Sequence, residues 1–268
     1  MNAVLTGLSH IAIDGEDSLP WLQNLITADV ESEAANAALG AALLTPQGKI
    51  LFDFMVLKDA DQKLILEVRA DNATMLVQRL TMYKLRAKLT IGVPRDVAVA
   101  VNDNAGRWRD LRFGVPIWRN ITQEQSGNRT EYDALRINHG VAESGLDYAL
   151  GDVFPHNVNL DQVGGVGFRK GCYVGQEVVS RMQHRGTARR RMVVATGTES
   201  LPVLGTPVIV GDREIGTLGT VVGNQAMAMI RLDKAAEAEV PAAANGVALS
   251  FSLPIGATFN LTPNADHG

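Results

Sequence analysis

Cysteine is nearly absent: Cys172 is the single thiol in 268 residues. One thiol closes no internal disulfide, so the fold must rest on its core, as suits a reducing compartment. Long apolar runs are also missing; none approaches the roughly 20 residues that cross a bilayer, so no membrane partner is expected. The opening stretch "MNAVLTGLSHIAIDGEDSLP" has no basic segment ahead of an apolar one. Together these absences predict a cytoplasmic protein. Excess positive charge is lacking too. Lys and Arg number 25 against 29 Asp and Glu, for a formal net charge of -4, which argues against non-specific nucleic-acid binding. Histidines stand at 10, 139, 156, 184 and 267 without paired ligand spacing, so no metal site within one chain is expected. Internal repeats are absent.

What is present is an ordinary globular composition, 46% apolar and 20% charged, in a chain long enough for more than one packed unit. "SLPWLQNLITADV" spaces Trp21, Leu22, Leu25 and Ile26 as a helix face, with Ser18 as a candidate cap. "LGAALLTPQGKILFDFMVLKDADQKLILEVRA" reads as three antiparallel strands separated by two turns. "DNATMLVQRLTMYK" then predicts a helix capped by Asp71 or Asn72, with Met75, Leu76, Leu80 and Tyr83 buried. Short strands are expected at "RDVAVAVND" and "RWRDLRF", an exposed loop at "NITQEQSGNRT", and a helix over "EYDALRINHG" closed by Gly140. Beyond Arg191 the strand-like segments and glycine turns predict a C-terminal β-barrel, interrupted by the alanine-rich connection "DKAAEAEVPAAANG" and ending in a frayed tail, "TPNADHG".

The chemistry concentrates in "GFRKGCYVGQEVVSRMQHRG". A helix should begin at Gly175 or Gln176, since Glu177 and Arg181 stand four apart and Gly186 closes the run. Cys172 then lies just ahead of a helix N-terminus with Lys170 two residues away, and both features favour a thiolate. A small buried hydrophobe is the competing reading. A cysteine-nucleophile enzyme would also need a base, and His156 and His184 carry no recognisable surrounding motif. The glycines of "GGVGFRKG" match neither phosphate-binding pattern. Arginines 181, 185, 189, 190 and 191 form a basic run, either a solvated helix end or an anion site; few aromatics interleave it, which makes RNA a poor partner.

Asp53 is the second residue of interest. "KILFDFMVLK" is apolar on both alternating faces apart from Asp53, and such a carboxylate must find a donor. A ligand N–H group or a hydrogen bond from a nearby loop would each serve.

With these residues in hand, the chain resembles the YgfZ/Iba57 family, folate-binding relatives of the glycine-cleavage aminomethyltransferase that assist iron–sulfur protein maturation. "KGCYVGQEVVSR" is similar to that family's K-G-C-Y-x-G-Q-E-x-x-x-R signature, and "WLQNLITADV", "TPQGKILFDFMV" and "FPHNVNLDQVGGVGF" follow in family order. "MQHRGTARRRM" leans toward the Iba57-like branch. The resemblance implies an α+β fold of aminomethyltransferase type, with two lobes around a central cavity and a C-terminal β-barrel. The expected segments are 1–46 with 130–190 as a discontinuous lobe carrying the cysteine motif, 47–129 as the second lobe, and 191–268 as the barrel.

It further implies tetrahydrofolate as the ligand, iron–sulfur carrier or client proteins as partners, and a cluster only if Cys172 shares it with a partner. By carry-over the functional motif is Lys170, Gly171, Cys172, Tyr173, Gly175, Gln176, Glu177 and Arg181. Cys172 and Asp53 are the candidate catalytic residues, and Asp53, Asn138, Gln176 and Glu177 the candidate folate-binding residues. Departures are visible. Where the transferases read G-G-I-x-D-D this chain has "GKILFD", with Phe52 at one acidic position; "LRINHG" puts Asn138 where a pterin-binding glutamate would stand; and "FPHNVNL" puts Asn157 at a frequent acid. An accessory factor in iron–sulfur protein assembly or repair is the leading expectation, and a folate-dependent one-carbon transferase the alternative.

Overall fold

The computed structural model describes residues 1–61, 63–186 and 188–261; the expected tail and His267 lie outside the described residues. Strand β1 (Asn2–Asp14) is followed by the short helix α1 (Ser18–Gln23), whose cap position is Asp17, so that Ser18 is its first helical residue rather than its cap. The expected meander is present as β2 (Ala37–Leu44), β3 (Ile50–Lys58) and β4 (Leu64–Arg69). Helix α2 (Ala70–Lys84) buries Ala73, Leu76 and Leu80. Met75 points outward instead of inward, because the 3.6-residue period that turns Leu76 and Leu80 to the core carries position 75 off that stripe.

Strands β5 (Thr90–Ile91), β6 (Arg95–Asn102), β7 (Trp108–Asp110) and β8 (Trp118–Thr122) complete the first sheet, and β8 claims residues expected in the loop. The order β4-β3-β2-β7-β8-β6-β1 closes on itself through β1–β4 pairing, with β5 beside β1. Because β2 and β3 pair across their turn, Leu44 opposite Ile50, this sheet draws strands from both segments that the sequence divides at 46/47.

Inside the ring lies a charged network. Arg119 of β8 donates to Glu67 of β4 and, at 3.1 Å, to Asp110 of β7; since β8 and β4 are not neighbours, the bond to Glu67 crosses the interior. His10 Nε2 lies 3.1 Å from Glu67. Arg112 adds bonds of 2.9 and 2.7 Å to Asp110. Burial opposes ionisation of Glu67 and Asp110, but Arg119 and His10 around the first and Arg112 and Arg119 around the second hold both carboxyls below their usual range.

Helix α3 (Arg129–His139) starts at Asn128, whose side chain accepts from Thr130 N, and ends at Gly140 with φ 65°. Helix α4 (Gln176–Arg185) begins where the sequence places it, with Gly175 and Gly186 at its ends. The C-terminal strands β9 (Arg190–Gly197), β10 (Pro207–Val210), β11 (Arg213–Val222), β12 (Gln225–Arg231), β13 (Ala242–Ala244) and β14 (Val247–Ser252) form a closed barrel, β10-β11-β12-β9-β14-β13. The alanine-rich connection is not plain loop. It holds α5 (Leu232–Ala236) and β13, the strand that joins β14 to β10 and shuts the barrel. Arg136 ties α3 to the barrel, donating to Asp147 at 2.8 Å and to Thr220 of β11 at 2.8 Å.

Candidate functional site

A cavity of about 100 Å³, open to solvent, lies between the ring sheet, α3 and the 141–148 and 158–163 segments. Strand β3 places Asp53 on its wall beside Phe54 and Met55, while Phe52 packs into the apolar core. Ser144 Oγ donates to one Asp53 oxygen at 2.6 Å and Tyr148 OH to the other at 2.7 Å. Each oxygen therefore keeps a lone pair for a further donor. Burial, the Asp53 charge and this hydrogen bond push the Tyr148 phenol well above its usual range, so it remains a donor throughout the working pH range.

Four guanidinium groups, those of Arg69, Arg112, Arg119 and Arg129, share the wall with Asp53, Glu67 and Glu143. Arg119 is deeply buried, and its Nε–H has no hydrogen-bond partner among the described residues. An orphaned donor in a cavity wall is a reason to expect an acceptor there.

The cysteine motif lies elsewhere; none of its residues lines this cavity. Lys170 Nζ donates to Ile26 O at 2.8 Å and Ala28 O at 2.6 Å, binding the motif loop to the segment after α1. Burial lowers its ammonium pKa to about 8 against the opposing pull of Asp29 and Glu31. Tyr173 turns inward and is buried, which pushes its phenol up to about 12. Gly175, at φ 79°, approaches the β2–β3 turn so closely that a Cβ there would sit 2.6 Å from Thr45 O. Gly48 in that turn meets Val178 of α4 at 2.9 Å in the same sense. With Lys170 and Tyr173 anchoring the loop, Gly171 and Cys172 are left exposed. The buried-hydrophobe reading of Cys172 is thus overturned, because its neighbour Tyr173 fills the inward position.

The candidate folate-binding residues are not brought together. Only Asp53 lines the cavity. Asn138 gives its backbone carbonyl to Ile255 N at 2.8 Å, on the side of α3 toward the barrel's end. Glu177 is exposed and accepts from Arg181 at 2.6 Å, the four-residue pair that the sequence predicts. Gln176 opens α4 beside the motif loop. Asn157 caps a turn, accepting from Phe154 N and donating to Arg190 O. Within the basic run Arg191 is buried against Asp161 at 2.6 Å, since β9 turns it inward, whereas Arg185, Arg189 and Arg190 are exposed. Sequence reasoning missed Ser144, Tyr148 and the arginines of the wall. Only Asp53's isolation on an apolar strand signalled that hydroxyl partners were needed.

This geometry can be set beside known proteins. The chain is 29% identical to the mitochondrial iron-sulfur cluster assembly factor IBA57 homolog of Chaetomium globosum, over 80% of this chain and 60% of that protein. It is 30% identical to its counterpart in Pyricularia oryzae, over 68% and 54%. With human mitochondrial IBA57 it shares 27% identity over 93% of this chain and 83% of the human one. The chain is a relative of the IBA57 proteins. It spans a little over half the length of the fungal relatives. Residues 189–259 match the family described as CAF17, C-terminal beta-barrel domain. The fold is that of an aminomethyltransferase. Aminomethyltransferase T of the Bartonella henselae glycine cleavage system superposes with a TM-score of 0.69 over 94% of this chain and 86% of that one, at 15% identity. The expectation of a cytoplasmic protein is corrected here, because these IBA57 relatives are mitochondrial proteins. Among the described residues no helix is long and apolar enough to cross a membrane.

Proposed function

We propose that the chain is a folate-binding accessory factor in the assembly or repair of iron–sulfur proteins, with separate ligand and cysteine sites. The observation that carries the reading is the position of Cys172, exposed on a loop pinned at both sides and outside the central cavity. A thiol so placed reaches a partner protein's surface, not a small molecule held in the cavity. The names of the IBA57 relatives supply the process, and iron–sulfur carrier or client proteins are the partners it implies.

A tetrahydrofolate-type ligand fits the cavity's donor set. Its pterin N–H groups match the remaining lone pairs of Asp53, and its carboxylates match the arginines of the wall. When bound, such a group would supply one-carbon or redox chemistry. The chain's own residues hold and orient it: Ser144 and Tyr148 fix the Asp53 carboxylate, and the ion pairs of Arg112 and Arg119 fix the opposite wall. Among the described residues no three His, Cys, Asp or Glu side chains converge as a metal site, so a cluster would be shared cargo, with Cys172 as one ligand.

The test is complementation: in a strain lacking the protein, Cys172→Ser should fail to restore iron–sulfur enzyme activity while folding normally. Full restoration would remove the thiol from the mechanism. The folate-dependent transferase reading is favoured by one observation, the Asp53 carboxylate in the cavity wall. It predicts turnover of methylene-tetrahydrofolate with an acceptor, abolished by Asp53→Asn.

A further inference from the structure

Helix α2 and the turn after it carry a feature that neither the cavity nor Cys172 uses. The inner stripe of α2 is Ala73, Leu76 and Leu80. On the outer side Met75 and Met82, one heptad apart, are 52% and 67% exposed, and Leu85 just beyond the helix is 88% exposed. Isolated exposed apolar residues are commonplace. Leu85 is different, because its backbone is held against its own preference. It has φ 45° and ψ -112°, and Ala87 N–H donates to Lys84 O at 2.9 Å, closing a turn with Leu85 as the first central residue. That is a type II′ turn, whose first central position, at about +60° and -120°, strongly favours glycine. The chain therefore keeps a large apolar side chain where the fold would be better served by none, and where it contributes nothing to the core. A residue that breaks a local rule without structural compensation points to a role outside the fold.

The surrounding charge indicates what covers it. Arg79, Lys84 and Arg86 have no salt-bridge partner among the described residues, whereas Lys88 pairs with Glu16 at 2.5 Å. Three unpaired cations within eight residues contrast with a chain of net charge -4. Methionine and arginine are the side chains enriched at protein interfaces. A membrane-bound helix would need a denser apolar face, but here Gln78 and Arg79 stand between the methionines.

We infer that the outer face of α2 with Leu85 is a docking surface for an acidic amphipathic helix of a partner protein, with Met75, Met82 and Leu85 as apolar anchors and Arg79 and Arg86 reading its carboxylates. The heptad spacing of Met75 and Met82 suits a helix laid along α2.

The experiment uses the isotopically labelled full chain, titrated with an amphipathic peptide bearing leucine at a and d positions and glutamate elsewhere. Saturable amide shifts confined to residues 75–88 are expected, lost when lysine replaces the peptide's glutamates. Leu85→Gly should raise Tm by about 2–4 °C, because glycine relieves the turn. The same variant should weaken peptide binding about tenfold, as loss of an anchor does. That opposition separates docking from a structural role. Shifts elsewhere or none, wild-type binding by Leu85→Gly, or a lowered Tm would overturn the inference. So would perturbation of α2 by phosphatidylglycerol vesicles but not by the peptide, which would assign the face to a membrane, and so would self-association through Leu85 in its absence.

Discussion

Asp53, Lys170 and Cys172 show how far a single residue can be read before its partners are known. Asp53 stands out as the lone charge on an apolar strand, and the need for a donor follows at once; that the donors are hydroxyls 91 and 95 positions away follows from the fold alone. Asp53→Asn keeps the shape but turns one of its two acceptors into a donor facing a hydroxyl. It should cost about 1–3 kcal/mol in urea unfolding, as other broken buried hydrogen bonds do. Lys170 supplies a pH dependence. Its folded-state pKa, near 8, lies below the roughly 10.4 of a free lysine, so between those values the unfolded chain binds more protons and stability should rise with pH. The lysine side-chain NMR titration should place its midpoint near 8, and a midpoint at the free value would refute the burial account. Cys172 is legible as reactive or inert only once Tyr173 is seen to take the inward position. As the single exposed thiol it should take up one equivalent of iodoacetamide in the native protein, without denaturant.

Elements were legible where one period ran unbroken. The Glu177–Arg181 pair and the terminal glycine define α4, and the two turns of "TPQGK" and "KDADQ" define the β2–β3–β4 meander. Strand β1 gives no such signal because a register shift between Leu5 and Leu8, with Gly7 at φ 71°, interrupts its alternation. The strand β13, three alanines, has no β-forming character of its own and exists because β14 and β10 leave a gap it must bridge. At this scale the tie between α4 and the β2–β3 turn is the testable element. Gly175→Ala meets both a left-handed backbone and Thr45 O. It should destabilise the protein by about 1–3 kcal/mol and raise proteolytic nicking of the 167–175 loop, whereas Gly171→Ala, with open space around it, should do neither.

At the scale of the whole molecule, the C-terminal barrel was legible through family resemblance and through the change of texture at Arg191, but the closure of the first sheet into a ring by β1 and β4 was not. Which strands become neighbours depends on contacts far apart in the chain, and the polar network inside the ring is invisible until His10, Glu67, Asp110 and Arg119 are brought face to face. Arg119→Met would leave Glu67 with His10 alone and take one of the two arginines from Asp110, and should cost about 3–5 kcal/mol. Because Glu67 and Asp110 have depressed folded-state pKa values, their contribution is present above the usual carboxylate pKa and is lost as pH falls through the folded values. The Arg119→Met variant should therefore have a flatter acid limb than the wild type. Separate ligand and thiol sites, as proposed, are tested by calorimetric titration of the wild type, Asp53→Ala and Cys172→Ser with tetrahydrofolate. Saturable binding that Asp53→Ala weakens about tenfold or more and Cys172→Ser leaves intact is the predicted result. Absence of binding in the wild type, or its loss with Cys172→Ser, would contradict it.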